Sequence, residues 1–109
     1  MLIEFEDDAL RSLCQEQKVM QRKLGAACAK KLRTRLADLM AAATMTDVRR
    51  GRPHPLKGDF AGCMALDLHG GVRLVLKPTA EPAPMNDNGS IDWSSVAEVT
   101  IVHIGDYHD

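Results

Sequence analysis

Between residues 63 and 77 the chain reads CMALDLHGGVRLVLK, and apolar residues recur at every second position on both sides of His69-Gly70-Gly71. A period of two is the signature of a strand with one buried face, and the glycine pair supplies the turn. Met64, Leu66 and Leu68 fall on one side with Val72, Leu74 and Leu76. Cys63, Ala65 and Asp67 fall on the other with Arg73 and Val75. A hairpin this one-sided is not stable alone in water, so a second layer must cover its leucine face.

Helices are the candidates for that layer. Residues 2–5, LIEF, read as an opening strand, after which Asp7 or Asp8 caps a helix running to about Leu24. Leu10, Leu13, Cys14, Met20 and Leu24 recur on one helical face, and Gly25 ends the segment or turns it. In the following AACAKKLRTRLADLMAAAT, an apolar stripe is expected from Ala29, Leu32, Leu36, Leu39, Met40 and Ala43, with Lys30, Lys31, Arg33 and Arg35 lying off it. Met20 and Met40 are expected in the core.

Gly51, Pro53 and Pro55 forbid regular structure just before Leu56, apart from a possible single helical turn nearer Thr44. Residues 78–95 hold three of the five prolines and an Asn88-Gly89 turn signal, so they read as a long excursion. In the last strand Val99, Ile101 and His103 alternate with Thr100, Val102 and Ile104. The expected fold class is α+β: an N-terminal strand and a two-helix hairpin packed on one face of a small antiparallel sheet, with residues 1–109 forming a single domain.

Several function classes drop out. No run approaches the ~18 to 20 apolar residues of a membrane span, and the acidic start MLIEFEDD lacks the features of a signal peptide, so a cytoplasmic protein without a membrane partner is expected. Cys14, Cys28 and Cys63 are widely spaced and without a CxxC pairing, which argues against a disulfide framework and a zinc site. P-loop, GxGxxG, HExxH and GxSxG patterns are absent, and no cofactor or metal is expected.

The net charge of −1 conceals a segregation. Residues 17–58 carry eleven bases against Asp38 and Asp47, whereas the flanking segments are acidic. Such a block either presents a positive face to a polyanion or is a solvated or internally neutralised helix surface. His54 and Lys57 precede the hairpin and Arg73 lies on its second strand, so all three can reach one face. Cleavage of a phosphodiester by its own 2′-hydroxyl needs a base, an acid and cations for the charge of the transition state, and no metal. Histidine, lysine and arginine suit those tasks, but Arg73 is equally placed for a cross-strand ion pair with Asp67. Tyr107 and His108 close the chain; beside Asp109, His108 would be favoured in its charged, acidic form.

The phrases HPLKGD, GGVRLVLKP, IDWSSV and the terminal DYH, in this order of elements, resemble the RelE/ParE toxin superfamily, most closely its HigB-type plasmid-maintenance killer proteins. The resemblance spans essentially the whole chain. It implies a bacterial type II toxin–antitoxin toxin, an endoribonuclease that cuts mRNA on the ribosome, neutralised by a HigA-type antitoxin with a helix-turn-helix domain, which alone touches operator DNA. It also implies that Lys57 and Arg73 hold the scissile phosphate, that His54 and His108 move protons and that Tyr107 orients or stacks on a base. Lys30, Lys31, Arg33, Arg35, Arg49, Arg50 and Arg52 would meet RNA through salt-sensitive contacts. Within the same superfamily a ParE-like toxin would instead inhibit DNA gyrase by binding, and a catalytically weak member would act mainly through its antitoxin.

Overall fold

The computed structural model describes residues 1–106, in which the chain runs β1 (Leu2–Phe5), α1 (Asp8–Gln15), α2 (Gln17–Ala41), β2 (His54–Pro55), β3 (Met64–Asp67), β4 (Arg73–Pro78) and β5 (Glu98–Gly105). The expected hairpin is β3 and β4, with Leu66 opposite Leu74 and Asp67 opposite Arg73. Its turn closes with the amide of Leu68 donating to the carbonyl of Val72 at 2.9 Å. The sheet order is β1-β5-β4-β3-β2. Three of its pairings are antiparallel, while β1 runs parallel to β5, with Phe5 opposite Ile101. A parallel pair needs a long crossover, and here both helices and the rest of the sheet intervene. The α+β class therefore holds, on a mixed sheet.

The leucine face is closed as its pattern requires. Leu66, Leu74, Leu76, Val99 and Ile101 are fully buried against Ala29, Leu32 and Leu39 of α2. Each large side chain so buried is worth roughly 1.5–3 kcal/mol, which makes this layer the main source of stability.

Asp7 caps α1 through its side chain, accepting from the Leu10 amide at 2.8 Å. The helix does not continue to Leu24, because Glu16 leaves the helical region (φ −108°, ψ 109°) and α2 begins at Gln17. Within α2, Gly25 sits at φ 79°, ψ 165°, a left-handed φ open to glycine. Arg33 Nη1 lies 4.0 Å from Met20 Sδ, although thirteen residues of straight helix would separate them by about 20 Å. The chain thus folds back at Gly25, giving the expected helical hairpin with an additional break before it.

Met20 is buried, but Met40 is 64% exposed and does not belong to the core. Residues 45–47 form a single 3-10 turn capped reciprocally by Thr44 and Asp47. The proline-rich approach does contain a strand after all: His54 pairs with Ala65 and Pro55 with Met64, at the sheet edge where a residue lacking an N–H is tolerated. The 78–95 excursion is irregular, pinned by an isolated bridge between Met85 and Ile91 and a 3-10 turn at Trp93–Ser95.

Candidate functional site

Side chains that alternate with the leucine set point to the face away from the helices. Leu56, Cys63, Ala65 and Val75 make a small second core there, with Phe60 and Val102 packed against it. The register draws two rows across this face. One runs His54, Ala65, Val75, His103, and the next runs Asp67, Arg73, Gly105.

Asp67 organises the second row. Arg73 donates through Nε to its Oδ1 at 2.7 Å, and Arg52 donates through Nε to Oδ2 at 2.8 Å and through Nη2 to Oδ1 at 3.3 Å. Partial burial by itself would raise the Asp67 carboxyl, but the Arg52 hydrogen bond and the charges of Arg73, Arg52 and His54 outweigh it and hold the group below the ordinary carboxylate range. Arg52 adopts a left-handed backbone (φ 49°), uncommon for a side chain of its size, and the two-pronged grip of Asp67 fixes it there. Two guanidiniums thus converge on one carboxylate.

His54 joins the same corner. Its Nδ1 lies 2.8 Å from the Arg52 carbonyl. A carbonyl only accepts, so Nδ1 carries the hydrogen and, in the neutral ring, Nε2 carries the lone pair. The ring is thereby set up as a base at Nε2. Lys57 is exposed on the arm that enters the 3-10 turn Gly58–Phe60; because His54 pairs with Ala65 and the Leu56 amide bonds the Cys63 carbonyl, the chain runs away from Asp67 here, and the structure does not bring Lys57 to Arg73. Tyr107 and His108 lie outside the described residues.

His103 is the residue that sequence reasoning misplaced. Simple alternation sets it with Val99 and Ile101. In the structure Leu76 faces Ile101 while Val75 faces His103, so Val102 is an additional residue on β5 and His103 turns to the Arg73 face. Such bulges re-aim side chains next to functional sites. The imidazole packs on Phe60 with centroids 5.4 Å apart, and its Nε2 is buried without a hydrogen-bond partner among the described residues. The available signal was Gly105, since a glycine inside a strand pattern marks a bulge or a close approach.

The basic set divides. Lys30, Lys31 and Arg33 are exposed on α2, and Arg49, Arg50 and Arg52 are exposed on the following loop, Arg50 paired to Asp38 at 2.9 Å. Arg35 does not belong with them. It is only 8% exposed, donates to Asp38 Oδ2 at 3.3 Å and to the Asp67 carbonyl at 3.4 Å, and lies against Gly51. Three residues after Leu32 and four before Leu39, it falls on the buried stripe, so it braces the helix against the sheet and offers no surface to RNA.

Burial raises the Cys63 thiol, partly offset by Lys77, and pushes Cys14 up to about 12, so both are packing groups rather than thiolates. Among the described residues no cluster of three or more His, Cys, Asp or Glu side chains is arranged to hold a metal, and no helix is long and apolar enough to cross a membrane.

No family model matches the chain, and no curated protein matches it. Solved structures do. A YoeB/ParE toxin from Agrobacterium tumefaciens superposes with a TM-score of 0.60 at 14% identity, covering 99% of this chain and 100% of its own. The YoeB-YefM complex from Staphylococcus aureus, also solved as a heterotetrameric toxin-antitoxin assembly, matches with a TM-score of 0.55 at 19% identity over 100% of this chain and 99% of the other. At such identities the likeness is one of fold: this chain has the fold of the YoeB/ParE-type toxins.

Proposed function

We propose that the chain is the toxin of a type II toxin–antitoxin system, of the HigB-type branch, and that it cleaves mRNA on the ribosome. The observation that carries this reading is the Asp67 corner: Arg52 and Arg73 converging on one carboxylate, beside a histidine whose Nε2 is kept as the basic nitrogen, on the sheet face turned away from Leu32 and Leu39 of α2. The fold shared with YoeB/ParE toxins supports it.

In this reaction the 2′-oxygen bonds to phosphorus as the bond to the 5′-oxygen breaks. The 2′-hydroxyl proton goes to a base, and the departing 5′-oxygen takes a proton from an acid, leaving a 2′,3′-cyclic phosphate. His54 Nε2 is the base, Arg73 stabilises the negative charge gathering on the phosphoryl oxygens, Lys57 holds the RNA backbone farther along the same sheet edge, and His108 with Tyr107 supplies the acid side. General acid–base action of this kind contributes typically ~10²–10⁴-fold, and preorganised cations a comparable factor. The exposed Lys30, Lys31, Arg33, Arg49 and Arg50 then steer the protein to ribosomal RNA, with affinity falling as salt rises. The site of action is cytoplasmic, and the neutralising partner is a helix-turn-helix antitoxin of the HigA type.

The test is purified protein added to translating ribosomes, with mRNA ends mapped. Cuts within codons that disappear in Arg73→Ala support the reading. Intact mRNA, in cells whose growth is nonetheless arrested, would sink it in favour of a ParE-like toxin that binds gyrase. That second reading has one observation of its own: Leu56 and Phe60 cover part of the face that RNA would have to reach.

A further inference from the structure

The geometry points to His103 as a substrate-contacting residue of the same site, a reading that rests on the proposed nuclease activity. A Cβ built on Gly105 would stand 3.0 Å from His103 Nε2. Nε2 therefore fills the seat that a side chain at position 105 would take, and that seat is directly opposite Arg73 in the β4–β5 register. Opposed positions bring Cβ atoms within about 4.5–5.5 Å, so the row reads Asp67, Arg73, imidazole. Gly105 has an ordinary backbone conformation, and what it supplies there is room for the ring.

Two further features fit a ligand at that nitrogen. Nε2 is buried and without a hydrogen-bond partner among the described residues, an arrangement that is costly and therefore uncommon unless something else completes it. Phe60, packed on the ring, comes from a short turn whose neighbours Lys57, Gly58, Asp59, Ala61 and Gly62 are all exposed, so the ring's cover belongs to a surface segment rather than to the main core. When RNA displaces Phe60, Nε2–H donates to a non-bridging oxygen of the phosphodiester that Arg73 binds. His103 thus supplies a donor where His54 supplies a base.

The decisive measurement is imidazole ¹⁵N NMR of the full chain titrated with an RNA oligonucleotide made uncleavable by a 2′-deoxy substitution. The His103 Nε2 resonance should move with RNA, and should stay put in Arg73→Ala. A static His103 signal while amides around Arg73 shift, or no shift anywhere on this face, overturns the proposal. On ribosomes, His103→Leu should lower kcat about 10²–10³-fold with KM little changed, and His103→Gln, which keeps a donor, should recover part of it. Gly105→Ala, which drives a methyl into the ring's seat, should reproduce the loss with the fold intact. Wild-type activity in His103→Leu overturns the proposal and leaves the nuclease reading standing, whereas a wild-type protein that never cuts mRNA removes that reading and leaves His103 to be decided by the titration.

Discussion

Asp38 on α2 accepts from Arg35 and Arg50 at 3.3 and 2.9 Å, and Asp67 on β3 accepts from Arg52 and Arg73 at 2.8 and 2.7 Å. As lists of charges the two clusters are the same. They differ in where the enclosed arginine stands. Arg35, with a side chain 10% exposed, is wedged between helix, loop and sheet, touching Asp38, Gly51 and the Asp67 carbonyl. Arg73, at 26%, lies on the face that the helices leave open. A cation of the first kind braces the fold, and one of the second kind can exchange part of its pairing for a phosphate. The distinction depends on which layer faces it, not on local sequence.

Arg73→Ala gives the largest effect that separates the two. Loss of a preorganised cation at the reacting phosphate should reduce mRNA cleavage about 10²–10³-fold, while the paired surface arginine should cost about 1 kcal/mol of stability or less. Cleavage rates and urea midpoints on the same preparation make the comparison. A variant that unfolds but retains full specific activity when folded would move Arg73 into the bracing class.

Arg35→Ala should behave in the opposite way. It leaves the half-buried Asp38 with only its exposed partner Arg50 and the Asp67 carbonyl without this donor, and breaking an enclosed pair typically costs about 3 kcal/mol. Folded protein at low temperature should still cleave mRNA. Were Arg35→Ala as stable as the parent but deficient in ribosome binding, the two clusters would have to be treated alike.

These assignments show what sequence could and could not deliver. The β3–β4 hairpin was legible because alternation over a dozen residues admits one pairing and one buried face. The α+β class followed, since a leucine face needs helices to cover it. Arg35 was not read correctly because Leu36 and Met40 suggested a stripe rotated toward them. Beyond Gly25 the buried set is instead Cys28, Ala29, Leu32, Arg35 and Leu39, and Met40 is exposed. His103 was misread for a different reason: a single additional residue in a strand reverses every later side chain, and alternation carries no mark of it beyond Gly105. The parallel β1–β5 pair was invisible because nothing local encodes a pairing between strands nearly a hundred residues apart. Of His54, Lys57 and Arg73, all expected on one face, the register brings His54 and Arg73 together and leaves Lys57 at the far end of β3. That His54 and Arg73 share one carboxylate's field, with Arg52 as its second clamp, needed the register.

Gly51→Ala probes the bracing cluster from its other side. Gly51 holds φ 83°, and a Cβ there would lie 2.5 Å from Arg35 Nε, so the substitution meets both backbone strain and a guanidinium with little room to move. A loss of about 2 kcal/mol is expected. In Arg35→Ala the contact part of that loss should vanish and the backbone part remain, so the two substitutions should be less than additive in urea unfolding. Full additivity would mean that Gly51 and Arg35 act independently and that the brace is misdrawn.

The smallest expected effect concerns Asp67 and pH. Its carboxyl is held below the ordinary range in the folded protein: desolvation opposes this, and the Arg52 hydrogen bond with the charges of Arg73, Arg52 and His54 prevails. A carboxyl more acidic folded than unfolded binds fewer protons in the native state. Its contribution is therefore fully present above the unfolded value of about 4 and is lost as pH falls through the lower folded value. Because the side chain is 28% exposed, water and salt screen the pairing and keep the contribution modest. Urea midpoints measured downward from pH 5 should fall less steeply in Asp67→Asn than in the parent, and the difference should shrink at high salt. The amide cannot hold two guanidiniums as the carboxylate does, so above pH 5 the same variant should also loosen Arg73 and reduce cleavage. An Asp67→Asn protein with unchanged cleavage would show that Arg73 keeps its position without the carboxylate, and that the open cluster depends on its sheet register alone.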